Sequence, residues 1–344
     1  MVYGYGSMRD CWRVRVEVGL ALLLLLISST GCSGLVKSPV ASIPRMVTPV
    51  ASATPDELLV RLAPFFELRS LRAWNALLRF DDLDSAERYR SAEAIVVLSR
   101  PDRIKLVISI PMFKARIAEM VSENNHFKVA IYFTEFRRYL TGTNSSDYSA
   151  WRQQLGEKGR SALISARPFH FTDSLLIRPL QMGSPRFSYS LEESLVSGPD
   201  LDPKAPRGAQ ILRSHYVLSE IEQTLNGAAI GRVRRKFWFD RTAGLAFTRQ
   251  QIFDDQGRLQ TEVTYSDYRK LNLSSETLWP GMIEVSRPYD SYLARLSFTE
   301  GNFETNVELP PNVFQLDNIE NLPVTDLDKP VAPLSTPLAP PARE

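Results

Sequence analysis

The sequence predicts a mainly β protein of the α+β class: one long antiparallel sheet, a helix ahead of it, and one or two helices inserted in its middle. Three observations carry this. Short runs of β-type residues, several with two-residue alternation, recur from Leu71 onward, and most end in turns rich in Asp, Asn or Gly. A capping box opens an amphipathic stretch just upstream, at residues 54–66. The chain of 344 residues is 44% apolar and 23% charged, the balance of a globular protein.

The helix comes first. Thr54-Pro55-Asp56-Glu57 places a Thr at the N-cap, Pro at the first helical position and Glu at the third. Leu58, Leu59, Leu62, Phe65 and Phe66 then recur at helical spacing, with Pro64 as a point of kinking. The strands follow. Ala94-Ile95-Val96-Val97-Leu98 leads through Arg100-Pro101-Asp102-Arg103 to a run in which Ile104, Leu106, Ile108 and Ile110 share one face. Beyond Pro111-Met112-Phe113 lie strands at 115–121 and 127–133, separated by Ser122-Glu123-Asn124-Asn125. Residues 143–210 are the least regular. Within them Trp151 to Ala166 is compatible with a helix, Thr172-Asp173 caps a short one carrying Leu175, Leu176 and Ile177, and Ser194 to Gly208 reads as a polar loop.

The last third is a meander. Phe237-Trp238-Phe239 turns at Asp240-Arg241-Thr242-Ala243-Gly244, Leu245 to Phe253 returns, and Asp254-Asp255-Gln256-Gly257 turns again. Leu259, Thr261, Val263 and Tyr265 alternate with polar residues, and strands at 281–287 and 292–300 complete the set.

Outside this domain the composition changes. Arg9, Arg13 and Arg15 precede an apolar run from Val18 to Ile27, which is too short for a spanning helix of ~20 residues. Ser28-Ser29-Thr30-Gly31-Cys32 closes it. This layout resembles the signal peptide and lipobox of bacterial lipoproteins, with Ser29 where Leu is usual. The resemblance implies cleavage after residue 31, acylation of Cys32 and a membrane anchor. Cys11 lies within the leader, so Cys32 is the only cysteine expected in the mature chain, and no disulfide can staple it. Residues 32–53, rich in Ser, Pro, Val, Ala and Thr, read as a tether. The folded domain is expected over 54–321. Residues 322–344, with six prolines, are expected as a disordered tail.

The charge balance argues against nucleic acid as a partner. Of 41 basic and 39 acidic residues, three and two lie in the leader, leaving the mature chain at a formal +1. His126, His170 and His215 are far apart and show no metal-ligand spacing. Gly-x-Ser-x-Gly, P-loop and dinucleotide motifs are absent from the sequence. The expectation is a protein without cofactor or metal that is not an enzyme.

The order of elements and several short motifs resemble the LolA/LolB-like superfamily, the lipoprotein carrier of the bacterial periplasm and its outer-membrane receptor. The resemblance spans residues 55–318 and rests on Phe239-Asp240-Arg241-Thr242-Ala243-Gly244-Leu245, Asp255-Gln256-Gly257, Thr264-Tyr265-Ser266-Asp267-Tyr268, Leu278-Trp279-Pro280 and Leu309-Pro310-Pro311-Asn312-Val313-Phe314. It implies an antiparallel half-barrel of about eleven strands with helices at its mouth and an apolar concave face for acyl chains. Strands 94–98 and 130–133 are apolar on both faces, which suits a sheet between helices and an apolar hollow. A filled core would suit them equally. Ile104, Leu106, Ile108, Ile110, Met112 and Phe113 are the candidate ligand-binding residues. Met112 and Phe113 either stand exposed, like the apolar loop residue of receptor-type relatives, or Phe113 tucks under a neighbouring strand. The carrier also holds its helices closed with an Arg near the mouth; Arg72, Arg79 and Arg90 lie at roughly that position, and none of them is matched to it. The expected function is an outer-membrane-anchored, periplasm-facing lipoprotein that binds a lipid or the acyl chains of another lipoprotein. The alternative is an envelope-assembly or structural lipoprotein that works through protein partners.

Overall fold

Helix α1 (Pro55–Glu67) forms where the capping box places it. Thr54 Oγ1 accepts a hydrogen bond from the Glu57 amide at 3.3 Å, and Glu57 Oε2 accepts one from the Thr54 amide at 2.7 Å. A cap of this kind contributes about 1 kcal/mol. Leu58, Leu62 and Phe65 share the buried face, and Val60 on the far side is exposed. The computed structural model describes residues 44–83, 91–133, 137–146, 148, 167–200, 202–206, 208–223 and 231–329. Cys32, the leader, the expected helix at 151–166, Arg90 and residues 330–344 lie outside the described residues.

The strands form one open sheet. The first half comprises β2 (Ser70–Asp82), β3 (Ala92–Ser99), β4 (Arg103–Ser109), β5 (Arg116–Glu123), β6 (His126–Ile131) and β7 (Arg138–Thr143), each antiparallel to the next. The second half is a meander of β9 (Gln210–Gln223), β10 (Gly231–Asp240), β11 (Ala246–Phe253), β12 (Leu259–Arg269), β13 (Trp279–Arg287) and β14 (Tyr292–Ser297). The halves join where β14 pairs with β2, Ala294 opposite Phe80 and Leu296 opposite Leu78. The turn between β10 and β11 follows its sequence: Asp240 Oδ1 accepts from the Thr242 amide at 2.7 Å, and Gly244 adopts the left-handed conformation, φ 65°, that Gly tolerates best.

Among the described residues the sheet has sixteen strands, more than the resemblance implies. Three are fragments of two or three residues, β1 (Arg45–Met46), β15 (Phe303–Thr305) and β16 (Val324–Asp326). Two more, β8 (Phe187–Pro199) and β9, arise from and border the stretch expected to be irregular. β8 runs into the first part of the loop expected from Ser194, as far as Pro199, because it is a largely solvent-facing strand that lacks a clear apolar period. A small separate unit contains Arg45 and residues 199–210, where the Asp200 and Asp202 side chains accept from the amides of Asp202 and Lys204.

Helix α2 (Pro168–Leu175) differs from expectation at its start. Pro168 opens it at the first position, and Thr172 lies inside it rather than at its cap. The Pro-Phe-His-Phe sequence hides the boundary, since Arg167 at the N-cap makes no side-chain cap bond.

Apolarity on both faces of β3 and β6 has a cause other than a hollow. Val97, Val121, Ala130 and Tyr139 face outward by strand alternation, and Phe314, Leu316 and Leu322 from the C-terminal segment cover them. The segment then continues as β16, parallel to β7. Leu322 and Val324–Asp326, expected within the tail, are therefore packed against the sheet. Likewise, part of the expected tether is docked: the Val47 amide donates to Leu212 O at 3.0 Å and the Ala51 amide to Arg241 O at 2.8 Å.

Asp328 pins the C-terminal segment. It accepts from the hydroxyls of Thr143 and Tyr148, each at 2.6 Å, and from Ser146 at 3.1 Å. Gly142 makes room for this, since a Cβ there would stand 2.6 Å from Tyr148 Oη. These hydrogen bonds hold the Asp328 carboxyl below its ordinary range. A depressed carboxyl contributes stability above its unfolded pKa and loses it as pH falls through the folded one. The Thr143 amide resonance is therefore expected to shift as pH falls below the ordinary aspartate range, and Asp328→Asn is expected to abolish that titration.

Candidate ligand-binding site

The six residues singled out by sequence fall into two groups. Ile104, Leu106 and Ile108 project from the inner face of β4 and are buried. They belong to one core with Leu58, Leu62 and Phe65 of α1 and Phe171 and Leu175 of α2. The inner face is thus filled by side chains from two helices. Phe65 is the centre of this filling: its ring meets Phe247, Tyr265 and Trp279 edge-on at centroid distances of 5.4, 5.6 and 5.4 Å.

Ile110, Met112 and Phe113 leave the core for the turn between β4 and β5. Met112 is 89% and Phe113 80% exposed, so Phe113 does not tuck under a neighbouring strand. Met112 and Lys114 adopt left-handed backbone, φ 68° and 53°, which tightens the turn around an exposed apolar tip. Lys114 pairs with Glu93 at its base.

Arg100 connects both helices to the sheet. It sits in the β3–β4 turn, and its Nε donates to Leu68 O at 2.6 Å while Nη2 donates to Phe65 O at 2.8 Å and Ile177 O at 2.9 Å. The first two carbonyls close α1, whose last turn has no basic residue of its own, so one guanidinium satisfies and neutralises that end. The third belongs to the chain just after α2. Burial lowers the Arg100 pKa, but a guanidinium stays charged throughout the working range. Arg72 and Arg79 do neither job: Arg72 pairs with Glu304 at 2.6 Å and Arg79 with Asp81 at 2.9 Å. The only sequence signal for Arg100 is its place in a turn before Pro101, which says nothing of partners distant in the chain.

A polar layer anchors α2 from below. Tyr265 Oη donates to Ser174 O at 2.8 Å, and Tyr292 Oη bonds His170 Nδ1. Burial drives the hydroxyls of Tyr265, Tyr268 and Tyr292 far above the ordinary tyrosine range, so they remain neutral.

No model of a known protein family matches the chain, and no curated protein matches it. Among solved structures it is similar to a DUF1329 family protein from Desulfovibrio piger, at 13% identity over 75% of this chain and 95% of that one, TM-score 0.43. It is also similar to a LolA superfamily protein from Nitrosomonas europaea, at 13% identity over 77% and 99%, TM-score 0.39. A third similar structure is an outer membrane lipoprotein-sorting protein domain from Vibrio parahaemolyticus, at 11% identity over 75% and 94%, TM-score 0.38.

Proposed function

We propose that the protein binds a lipid, or the acyl chains of another lipoprotein, by apolar burial and release, without covalent chemistry. The observation that carries this reading is the division of the core. The sheet supplies a continuous apolar inner face, and two short helices cover it: α2 lies against β4, β5 and β13, and α1 against β11, with the Phe65 and Leu68 carbonyls at the end of α1 accepting from Arg100. Moving α1 would uncover the aromatic cluster of Phe247, Tyr265 and Trp279, and moving α2 would uncover Ile104, Leu106 and Ile108. In this reading Met112 and Phe113, at the exposed turn, touch the membrane surface or the cargo. Acylated Cys32 fixes the chain to the outer membrane, facing the periplasm.

Native mass spectrometry of the full chain purified from membranes tests the reading. Copurified lipid is expected, and Met112→Ser with Phe113→Ser is expected to retain that lipid while slowing its transfer to acceptor vesicles. Absence of lipid from an intact fold would overturn it. That result would favour a structural or assembly lipoprotein acting through protein partners, a reading supported by the filling of the inner face with side chains.

A further inference from the structure

A cleft of about 860 Å³ opens at the end of the sheet away from the Met112–Phe113 turn. Its walls are the turns that follow β3, β5, β7, β11 and β13, together with α2. The volume falls within the ~300–1,000 Å³ of small-molecule sites.

The charges in this cleft balance in number, and six of the eight form pairs with one another. The described lining residues include four arginines and four aspartates. Arg178 pairs with Asp173 at 2.9 Å, Arg258 with Asp254 at 2.8 Å, and Arg287 with Asp290 at 2.7 Å. The last pair is nearly buried, and Arg287 also donates to Thr261 Oγ1 at 2.6 Å. A charged ligand would meet no surplus of either sign here.

What the cleft offers instead is hydrogen-bonding capacity beside aromatic rings. Among the described residues Thr172 Oγ1 and Asn144 Oδ1 are buried and have no hydrogen-bond partner, in residues only 4% and 8% exposed. Asn144 is oriented by its Nδ2 donating to Ser122 Oγ at 2.7 Å. An unmade bond at such an atom is costly, and a ligand hydroxyl can supply it directly or through one water. Asp102 and Gln260 add polar groups at the rim. Tyr289 is half-exposed and presents a ring held by the Arg258 guanidinium at 4.8 Å, and Phe169 adds a second ring.

We propose that this cleft binds a neutral polyhydroxylated group, a hexose-type sugar, either free or carried on a lipid. Its hydroxyls take up the unpartnered polar atoms, and the apolar face of the sugar ring lies against Tyr289. Charge balance sets the selectivity, because a phosphate or carboxylate entering here would be desolvated without a matching cation. The proposal is independent of acyl-chain binding, since the cleft exists with the inner face filled.

The test uses the purified full chain and three probes: maltose, phosphatidylcholine vesicles with and without digalactosyldiacylglycerol, and phosphatidylglycerol vesicles. Saturable binding of maltose, or of the glycolipid vesicles above plain phosphatidylcholine, is expected. Asp102→Ala with Tyr289→Ala, outside the three ion pairs and the core, is expected to weaken it about tenfold, equivalent to ~1.4 kcal/mol. Binding of maltose identifies a free sugar, whereas binding of the glycolipid alone identifies a lipid-borne one. No response to either sugar, equal binding by the double variant, or a response confined to phosphatidylglycerol would overturn the proposal. A response equal on plain phosphatidylcholine concerns the acyl chains and counts against a sugar site.

Discussion

Phe65→Ala is expected to destabilise the domain by about 3–5 kcal/mol, the range for emptying a core aromatic position. Three neighbouring rings from β11, β12 and β13 lose their edge-on partner at once. Helix propensity does not explain such a loss, because Ala is the better helix former. The measurement is equilibrium urea unfolding of the variant beside Val60→Ala, which changes an exposed position on the same helix and is expected to cost under about 0.5 kcal/mol. If α1 is the removable cover of the inner face, Phe65→Ala should also raise binding of an apolar dye under conditions where the domain stays folded. A loss below about 1 kcal/mol would mean that α1 is not held by this contact.

Local rules made the framework legible. The capping box at Thr54, the Asp240 to Gly244 turn and the alternation on β4 each depend on residues a few positions apart, and each forms as its chemistry requires. Where a distant segment decided the outcome, the sequence was silent or misleading. Val97 and Ala130 left a hollow and a filled core equally open, because nothing local reveals that Phe314, Leu316 and Leu322 cover them. Thr172 resembled a cap because Ser/Thr-Asp pairs commonly are caps, yet Pro168 had already opened α2. The candidate site divided for the same reason. Alternation placed Ile104, Leu106 and Ile108 on one face, but whether ligand or helix fills that face depends on how α1 and α2 pack. The cleft rimmed by Asp102, Gln260 and Tyr289 was not foreseeable, since its walls come from turns spread over nearly two hundred residues.

Arg100→Met is the second large effect. The substitution keeps an unbranched side chain of similar reach and removes every donor, which leaves Leu68, Phe65 and Ile177 carbonyls without this partner. Partly buried carbonyls that lose a charged donor cost about 1–3 kcal/mol each when no water replaces it, and partial rehydration brings the expected total to about 2–4 kcal/mol. Arg100→Lys should recover only part of this, because a point charge cannot fork toward carbonyls from two helices. Arg72→Met provides the control: it breaks a surface pair with Glu304 and is expected to cost no more than about 1 kcal/mol. Hydrogen exchange locates the effect. Amides in the last turn of α1 should exchange faster in Arg100→Met, while those of β12 and β13 keep their protection. Lipid loading then separates the two readings of the protein. If α1 covers an acyl site, weakening its tie lowers the cost of opening, so Arg100→Met should load lipid faster and release it less readily despite its lower stability. If the filled inner face is a permanent core, the same variant loses stability and gains no lipid, because nothing binds the opened state preferentially.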